Sequence, residues 1–307
     1  MLPASAEAFG DQLAEHRSEL LVHCYRMLGT LDEAEDAVQD ALARAWTGRQ
    51  TFRRSISFRA WLYRIATNVC LNALERRKHD RVDQGFVIGP FPDSLLNGIA
   101  PPEAGPEAQY DARESISLAF LTVLQRLPAR QRAVLLLRNV LSFRAAEVGA
   151  LLDMSVAAVN SAQQRARATL RSSYSSPEHA SLTAGSPSNL LERYVRAWEA
   201  ADVTGLVALL REDAVLAMPP KPMVVGARPI GGFLKESIFT MGPMRLLEAH
   251  ANGSPAFAMY VQQQGAGAFV LFALLVIGGD GRQITQIDAF ADPRVLAPFD
   301  LPAKLAG

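Results

Sequence analysis

The stretch from Leu141 to Arg171 constrains the fold most, because it has the pattern of two short helices joined by a tight turn. Apolar residues give the first helix one inner side, and Asp153–Met154 interrupts it. Ser155 follows at an N-cap position, where its hydroxyl can accept a hydrogen bond from the backbone of the next turn. Four residues at roughly helical spacing predict the inner face of the second helix: Val156, Val159, Ala162 and Ala166.

The other face of this second helix has the chemistry of a DNA-reading surface. No acid occurs from Met154 to Ser176. Amide side chains can read adenine edges in the major groove, and arginine can read guanine or hold phosphate. This face is predicted to carry Asn160, Ser161, Gln163, Gln164, Arg165, Arg167 and Arg171, and the candidate DNA-binding residues are Ser155, Asn160, Ser161, Gln164, Arg165 and Arg167. An ordinary helical hairpin with a solvated polar face is the alternative, because helix-turn-helix patterns recur in many folds.

Composition excludes several other classes of protein. The 307 residues carry a net charge of +0, so any signal for nucleic acid must be local. Cys24 and Cys70 lie in apolar helical patterns and are expected to be core residues rather than a disulfide or redox pair. The five histidines show no metal-ligand spacing, so neither a metal nor a cofactor is expected. The longest apolar run, Phe269–Ile277, is too short to span a bilayer, and no signal peptide is visible. A cytoplasmic protein is expected.

Residues 7–80 are predicted to be helical, and their charges are segregated. Acids cluster between Asp32 and Asp40, whereas none occurs from Ala41 to Leu74. That acid-free window mixes arginines with aromatic residues, including Arg53, Arg54, Arg59, Arg64, Phe52, Phe58, Trp61 and Tyr63. Such a mixture suits single-stranded nucleic acid, because bases stack on rings while arginine follows the backbone. Alternatively, Trp61 and Tyr63 are core anchors of a helical bundle.

The chain resembles, in two stretches, a bacterial sigma factor of the extracytoplasmic-function class of the sigma-70 family. The second conserved region of that class is similar to LDEAEDAVQDALARAW followed by FRAWLYRIATNVCLNALERRK. The fourth is similar to LQRLPARQRAVLLLRNVLSFRAAEVGALLDMSVAAVNSAQQRARATLR. The motifs follow the family's order and spacing. The resemblance implies an all-α N-terminal half, with a region 2 helical bundle at residues 7–80 and a region 4 helix-turn-helix at 113–173.

The resemblance also implies roles for particular residues. Core RNA polymerase would be bound by Asp32, Glu35, Asp36 and Gln39. The −10 element and its melted strand would meet Arg53, Arg54, Arg59, Trp61, Arg64 and Asn68. Unstacking a base costs a few kcal/mol, and stacking and phosphate contacts in the new site offset that cost without ATP.

The region 4 helix would dock in the −35 major groove. The family often has a Val-Lys-Ser-Arg-like run where this chain has Val159-Asn160-Ser161-Ala162, so two cations are missing. Arg165 and Arg167 match the family's Arg-Ala-Arg and are therefore the strongest candidates for phosphate or base contacts.

Two linkers separate the predicted domains. Residues 81–112 are rich in Gly and Pro and are predicted to form an extended chain rather than a helix. The resemblance implies that this linker threads toward the polymerase cleft and RNA exit path, but its Phe91–Leu96 piece is apolar enough for local docking. Residues 174–188 are rich in Ser and Pro and mark a second boundary.

Residues 189–300 are predicted to form an α+β domain. A helix over Leu190–Leu210 and a short one over Phe233–Phe239 accompany strands at 214–218, 246–252, 256–263, 268–277 and 283–291. A hairpin turn is expected at Gly278–Gly281. The opening helix, the Asn252–Ala256 turn and the Ile284–Asp288 strand resemble the cone-shaped SnoaL-like fold, which implies a pocket. Candidate pocket residues are Trp198, His250, Tyr260 and Asp288.

The combined interpretation is a sigma factor that binds core polymerase, recognises the −35 and −10 elements and performs no chemistry. Its C-terminal domain is expected to contact the chain's own sigma regions and regulate them, with a small apolar ligand as a candidate effector. The first alternative is a helix-turn-helix regulator fused to a ligand-sensing domain, which leaves the segregated charges of residues 32–74 unexplained. The second is a SnoaL-type cyclase or isomerase with a DNA-binding appendage.

Overall fold

The computed structural model describes residues 6–52, 57–80, 88–96, 115–174, 188–262 and 267–306. The chain divides into two compact units. The first unit contains Met1–Ile88 and Ser94–Ser175, and the second contains Gly89–Asp93 and Ser176–Gly307. A five-residue piece of the first linker therefore belongs to the C-terminal unit. Within the described residues, no helix has both the length and the apolarity needed to cross a membrane.

The described residues of the first unit are helical. Its α-helices are α1 Ala6–Glu15, α2 Arg17–Leu28, α3 Leu31–Thr47, α4 Phe58–Asp80, α5 Leu118–Arg126, α6 Ala129–Leu135, α7 Ala145–Leu152 and α8 Val156–Tyr174. Gly29 ends α2 in the left-handed conformation at φ 92°, which a glycine adopts without steric cost. Acids open α3, where they favour the helix dipole.

Helix α2 is the centre of the first four helices, because every residue from Leu20 to Leu28 is buried. His23 lies within it, and burial lowers the pKa of its imidazole to about 3. Its Nε2 lies 2.9 Å from Thr67 Oγ1 of α4. Cys24 and Cys70 are buried free thiols, which confirms their prediction as core residues.

The predicted helix-turn-helix consists of α7 and α8. Asp153 ends α7 in the left-handed conformation at φ 53°, and the Ser155 hydroxyl caps α8 by accepting from Ala158 N at 3.2 Å. Gly149 is required for this turn, since a Cβ at that position would lie 2.7 Å from the Met154 carbonyl oxygen. A single π-helical turn over Leu136–Val140 follows α6 and precedes the motif.

The second unit is a seven-stranded sheet with helices against one face. Its helices are α9 Ser188–Glu199, α10 Val203–Leu209, α11 Ala227–Phe233 and α12 Pro293–Leu296. Its strands are β1 Leu210–Met218, β2 Lys221–Val225, β3 Met244–Ala251, β4 Ser254–Gln262, β5 Phe269–Gly279, β6 Ile284–Phe290 and β7 Lys304–Leu305. The order is β2-β1-β6-β5-β4-β3, with β7 beside β5 and only β1 and β6 parallel among these described strands. The α+β prediction is confirmed.

Two details of the C-terminal prediction are wrong. The helix expected over Leu190–Leu210 is two helices, because Ala201 takes a positive φ of 51° and interrupts it. The helix expected at Phe233–Phe239 begins earlier, at Ala227, and continues as a π-helical turn over Leu234–Ile238. The sequence pattern also missed the short strands β2 and β7, which follow proline-containing segments.

The linker piece is bound to the turn between β3 and β4. Phe91 N donates to Asn252 Oδ1 at 2.8 Å, and Asn252 N donates to the Phe91 carbonyl at 2.9 Å. Gly253 N donates to Asp93 Oδ1 at 2.9 Å, and Pro92 forms a bridge with Ala251. Phe91 is fully buried. We call Phe91–Asp93 on this turn the linker clip; the prediction of local docking for Phe91–Leu96 holds for these three residues.

Candidate nucleic-acid interface

The outer face of α8 presents the predicted −35 readers to solvent. Asn160, Ser161, Gln164 and Arg165 are exposed, whereas Val159, Ala162 and Ala166 are buried. Two predicted placements on α8 are wrong: Val156, expected on the inner face, is 47% exposed in the first turn, and Gln163, expected on the outer face, is buried. The exposed surface thus combines small apolar, amide and cationic groups along one side of the helix, as a major-groove reader requires.

The two arginines of the Arg-Ala-Arg motif differ in their surroundings. Arg167 reaches the side-chain amide of Asn139, with the amide oxygen 2.8 Å from Nη2 and 3.1 Å from Nε when the amide is oriented to accept. None of the described contacts engages the guanidinium of Arg165. Sequence reasoning treated both residues alike because nothing in the motif reveals Asn139 as a neighbour.

The acidic face of α3 matches the residues predicted to bind polymerase. Asp32, Asp36 and Gln39 are exposed and Glu35 is half-buried. Their spacing of three and four residues places all four on one side of the helix. The described ion pairs of α3 use other acids, namely Glu33 with Arg77 and Asp40 with Arg44.

The predicted −10 residues are more deeply embedded than the sequence suggested. Trp61 is only 8% exposed and packs on Phe52 and Phe58 at ring centroid distances of 5.3 Å and 5.7 Å. Tyr63 is fully buried, so both aromatic residues have the alternative role of core anchors. Asn68 is half-buried in α4. Arg53 and Arg54 lie outside the described residues.

Arg59 and Arg64 are engaged by other parts of the first unit: Arg59 by Glu19 of α2 and the Phe143 ring, and Arg64 by Asp153 in the turn between α7 and α8. The Arg59 guanidinium donates to Glu19 at 2.8 Å and lies over the rings of Tyr63 and Phe143, 4.9 Å and 5.6 Å from their centroids. Burial of Glu19 opposes ionisation, but hydrogen bonds from His16, Arg59 and Tyr63 and the charge of Arg59 lower the pKa of its carboxyl. Arg64 Nη2 lies 3.4 Å from Asp153 Oδ1.

Two buried arginines also join the first four helices to the later ones. Arg26 Nε donates to the Ser115 carbonyl at 3.0 Å. Arg132 donates to the carbonyls of Met27, at the end of α2, and Gln125. Burial lowers the pKa of each guanidinium to about 10. We call Arg26 and Arg132 the arginine clasp.

The four candidate pocket residues of the second unit are not brought together. Trp198 belongs to the core between the helices and the sheet, whereas Tyr260 belongs to a separate cluster with Phe269. Asp288 alternates with Ile287 and so points to the face away from the helices. His250 is exposed beside Glu248.

The core beneath the helices is filled by side chains. Tyr194 is fully buried, Trp198 is 3% exposed, and Phe257 and Phe239 pack on them. Tyr194 Oη and Trp198 Nε1 are inaccessible to solvent. A void large enough for water therefore does not adjoin these two atoms, and the pocket prediction is not supported around them.

Comparisons with known proteins identify both sigma regions. Residues 13–80 match the family described as Sigma-70 region 2, and residues 117–170 match Sigma-70, region 4. The ECF RNA polymerase sigma factor SigG of Mycobacterium tuberculosis is 37% identical over 320 aligned positions, covering 97% of this chain and 85% of SigG. SigW of Bacillus subtilis is 32% identical over 54% of this chain and 88% of its own.

A solved structure extends the similarity to the C-terminal unit. The crystal structure of the M. tuberculosis extracytoplasmic function sigma factor SigJ aligns with a TM-score of 0.65 and 23% identity, covering 95% of this chain and 99% of SigJ. The match includes the α+β unit, whose fold is SnoaL-like. The helix-turn-helix, the acidic α3 face and the near full-length similarity to SigG together show that this chain belongs to the extracytoplasmic-function class of sigma-70 factors.

Proposed function

We propose that this chain directs core RNA polymerase to promoters through surfaces of its first unit, and that its second unit restrains it by holding the linker. The observation that carries the first part is the outer face of α8, where Asn160, Ser161, Gln164 and Arg165 stand exposed without an acid among them. The family supplies the partner: sigma factors act with core polymerase on promoter DNA. Since both partners are in the cytoplasm, the protein acts there.

Each surface has a separate role in this proposal. The outer face of α8 reads the −35 element, and the acidic face of α3 binds polymerase through Asp32, Glu35, Asp36 and Gln39. The segment that contains Arg53, Arg54, Arg59, Trp61, Arg64 and Asn68 meets the −10 element. Because Trp61 packs on Phe52 and Phe58, it supports that surface from beneath, and the arginines make the phosphate contacts.

The first unit must open before Arg59 and Arg64 reach DNA. Arg64 and Asp153 are 43% and 80% exposed, and a pair of this kind contributes at most about 1 kcal/mol. Stacking of Arg59 on Phe143 adds roughly 0.5–1 kcal/mol. The arginine clasp is costlier to break, because its guanidiniums are buried and bonded to carbonyls. Binding of polymerase and promoter therefore has to replace weak internal contacts of Arg59 and Arg64 and stronger internal contacts of the arginine clasp.

The linker clip gives the second unit its regulatory role. Three hydrogen bonds at about 0.5–1.5 kcal/mol each and burial of Phe91 at about 1.5–3 kcal/mol stabilise it by a few kcal/mol gross. The conformational entropy of ordering these three residues, about 1–2 kcal/mol each, opposes this gain, so the net stabilisation of the clip is small beside the roughly 12 kcal/mol of a nanomolar complex with polymerase. The family resemblance implies that this linker runs along the polymerase cleft in the holoenzyme. Residues Phe91–Asp93 cannot follow that path while they are bound in the clip.

Catalysis has no support in the second unit. Acid–base chemistry needs titratable groups that converge on one substrate position. Tyr260, Asp288 and His250 instead occupy separate places, and the core around Tyr194 and Trp198 is filled. We assign this unit a binding role toward its own chain.

Run-off transcription with purified core polymerase tests both parts. The full chain is compared with a version ending at Ser173 and with Asp93→Ala, which removes the acceptor for Gly253 N. Both changes are expected to increase core-dependent transcripts, because they free the linker. Asp213→Ala, an exposed acid paired with Arg211 in the second unit, is the matched control and is expected to leave the yield unchanged. Fewer transcripts from Asp93→Ala would contradict the restraining role.

Polymerase binding is tested separately. Asp36→Arg reverses charge on the α3 face and should weaken co-purification with core polymerase, whereas Glu192→Arg, an exposed acid of α9, should not. Specific duplex binding without any core-dependent transcript from any version would instead identify a conventional helix-turn-helix regulator.

A further inference from the structure

We propose that Arg167 is a positioning residue that braces the recognition helix through Asn139, and that Arg165 alone of the Arg-Ala-Arg motif contacts DNA. The inference rests on the proposed role of α8 in reading the −35 element. It assigns different tasks to two residues that the motif presents as equivalent.

The contact of Arg167 uses the geometry of its side chain. Nη2 and Nε are the two donors on one edge of the guanidinium, and they lie 2.8 Å and 3.1 Å from one amide oxygen of Asn139. Arginine presents its donors as a rigid fork, so a paired contact fixes the direction of the side chain as well as its position. A lysine cannot reproduce it.

Asn139 connects this contact to the rest of the motif. It belongs to the π-helical turn Leu136–Val140. With its oxygen turned to Arg167, its Nδ2 lies 2.7 Å from the side-chain amide of buried Gln163, whose oxygen must occupy that position to accept the hydrogen bond. The two contacts thus join the π-helical turn to one edge of α8, on which Gln163 lies one helical turn before Arg167.

The helical positions separate the two arginines. Residues two apart on an α-helix differ by about 200°, so Arg165 and Arg167 leave α8 in nearly opposite directions. Arg167 shares its edge with Gln163, four residues earlier, whereas Arg165 lies on the side of exposed Ser161. A guanidinium already bonded to Asn139 must give up that contact to reach a phosphate, and Arg165 has no such competitor among the described contacts.

Binding to a duplex that carries the cognate −35 element tests the inference on the full chain. Arg167→Ala and Asn139→Ala are each expected to weaken specific binding by about 3- to 10-fold, the range for one lost hydrogen-bonded pair. The double variant is expected to be no weaker than Asn139→Ala, because Arg167→Ala removes a contact that Asn139→Ala has already removed. Arg167→Lys should behave as Arg167→Ala. Arg165→Lys should retain most of the binding, since charge alone suffices at a phosphate.

Salt dependence separates positioning from charge. Arg165→Ala should weaken non-specific binding and reduce the slope of log K against log salt by about 1. Arg167→Ala should leave that slope and non-specific binding unchanged while the ratio of specific to non-specific binding falls. Additive effects of Asn139→Ala and Arg167→Ala, or a reduced salt slope in Arg167→Ala, would overturn the proposal.

A measurement without DNA keeps the inference independent of the promoter role. In NMR spectra of the full chain, the Arg167 Nε–H should exchange with water more slowly than that of Arg165, and Asn139→Ala should remove the difference. Equal exchange rates in the unaltered chain would refute the brace even if −35 recognition is correct. Slow exchange together with no specific duplex binding would refute the promoter role alone.

Discussion

Asp288 of β6 is expected to destabilise the second unit at neutral pH, so that Asp288→Asn stabilises it. Burial raises the pKa of the Asp288 carboxyl to about 6, partly offset by the hydrogen bond that Gln286 Nε2 donates at 2.8 Å. The unfolded value is near 3.8. Because the folded state binds the proton more tightly, the stabilisation present below pH 3.8 is lost as the pH rises toward 6.

The expected size follows from the shift. About two pKa units at 1.36 kcal/mol each give roughly 3 kcal/mol as the upper limit of the free-energy gain for Asp288→Asn at pH 7.5. The asparagine oxygen can still accept from Gln286, so the existing hydrogen bond is retained. With a urea dependence of about 2 kcal/mol per M, the unfolding midpoint should rise by up to about 1.5 M. At pH 4 the gain should almost vanish.

The measurement requires a probe for each unit. The chain has three tryptophans, of which Trp46 and Trp61 lie in the first unit and Trp198 in the second. Fluorine NMR of 5-fluorotryptophan protein follows the unfolding of both units in one urea titration. Only the Trp198 resonance should shift its midpoint in Asp288→Asn.

A neighbouring acid supplies the control with the opposite sign. Asp280 Oδ1 accepts from Gln283 N and Arg282 N, both at 2.9 Å, and these hydrogen bonds lower the pKa of its carboxyl. Asp280 therefore stabilises the unit above its unfolded pKa and loses that effect as the pH falls. Asp280→Asn should unfold at lower urea than the unaltered chain at pH 7.5. If Asp288→Asn gave the same midpoint as the unaltered chain at pH 7.5, the reasoning from burial would be refuted.

Three further predictions use the same titration. Gly149→Ala should lower the urea midpoint of the first unit by more than 0.5 M, which corresponds to about 1 kcal/mol or more, because the new Cβ would meet the Met154 carbonyl oxygen. The control is Gly232→Ala, whose Cβ meets nothing within 4 Å, and it should leave the second unit equally or more stable. Arg132→Ala should lower the free energy of unfolding of the first unit by about 3 kcal/mol or more, because it leaves buried carbonyls without a donor and creates a cavity. Arg132→Met fills the space and should lower it by less. Tyr194→Phe should change the stability of the second unit by less than about 1 kcal/mol, because its buried hydroxyl faces the Trp198 indole without a hydrogen bond of good geometry; a loss above 1 kcal/mol would mean that this contact is a full hydrogen bond.

The sequence predicts those features that depend on local pattern. Ser155 as an N-cap, the turn at Asp153 and a hairpin between β5 and β6 are properties of a few adjacent residues, and the structure confirms them. The hairpin turn itself lies at Asp280–Gln283 rather than at Gly278–Gly281, because β5 continues through Gly279. Family motifs place the acidic face of α3 on one side of a helix. In each case the deciding interactions lie within one or two turns of chain.

The errors arise where a distant contact decides. Val156 has the spacing of a core residue, yet no element covers the first turn of α8 among the described residues, so it stays exposed. Trp61 lies among arginines and aromatic residues, a pattern that is typical of base stacking, but its ring packs on Phe52 and Phe58. The pocket residues stay a prediction, because strand alternation alone does not reveal which face of β6 the helices cover.

The structure also explains why regulation was the least predictable property. The same residues that resemblance assigns to promoter or polymerase, Arg59 and the linker piece Phe91–Asp93, already have intramolecular partners in Phe143 and the Asn252–Gly253 turn. Each partner contributes only a few kcal/mol, so holoenzyme formation can replace it, and neither partner is conspicuous in the sequence. If the proposed function is correct, activation exchanges internal for external contacts at these shared residues. A change that only loosens an internal contact, whether in the Asn252–Gly253 turn or at Asp93, is therefore expected to raise activity, whereas a change in a shared residue that also contacts polymerase or DNA, such as Arg59, is expected to lower it.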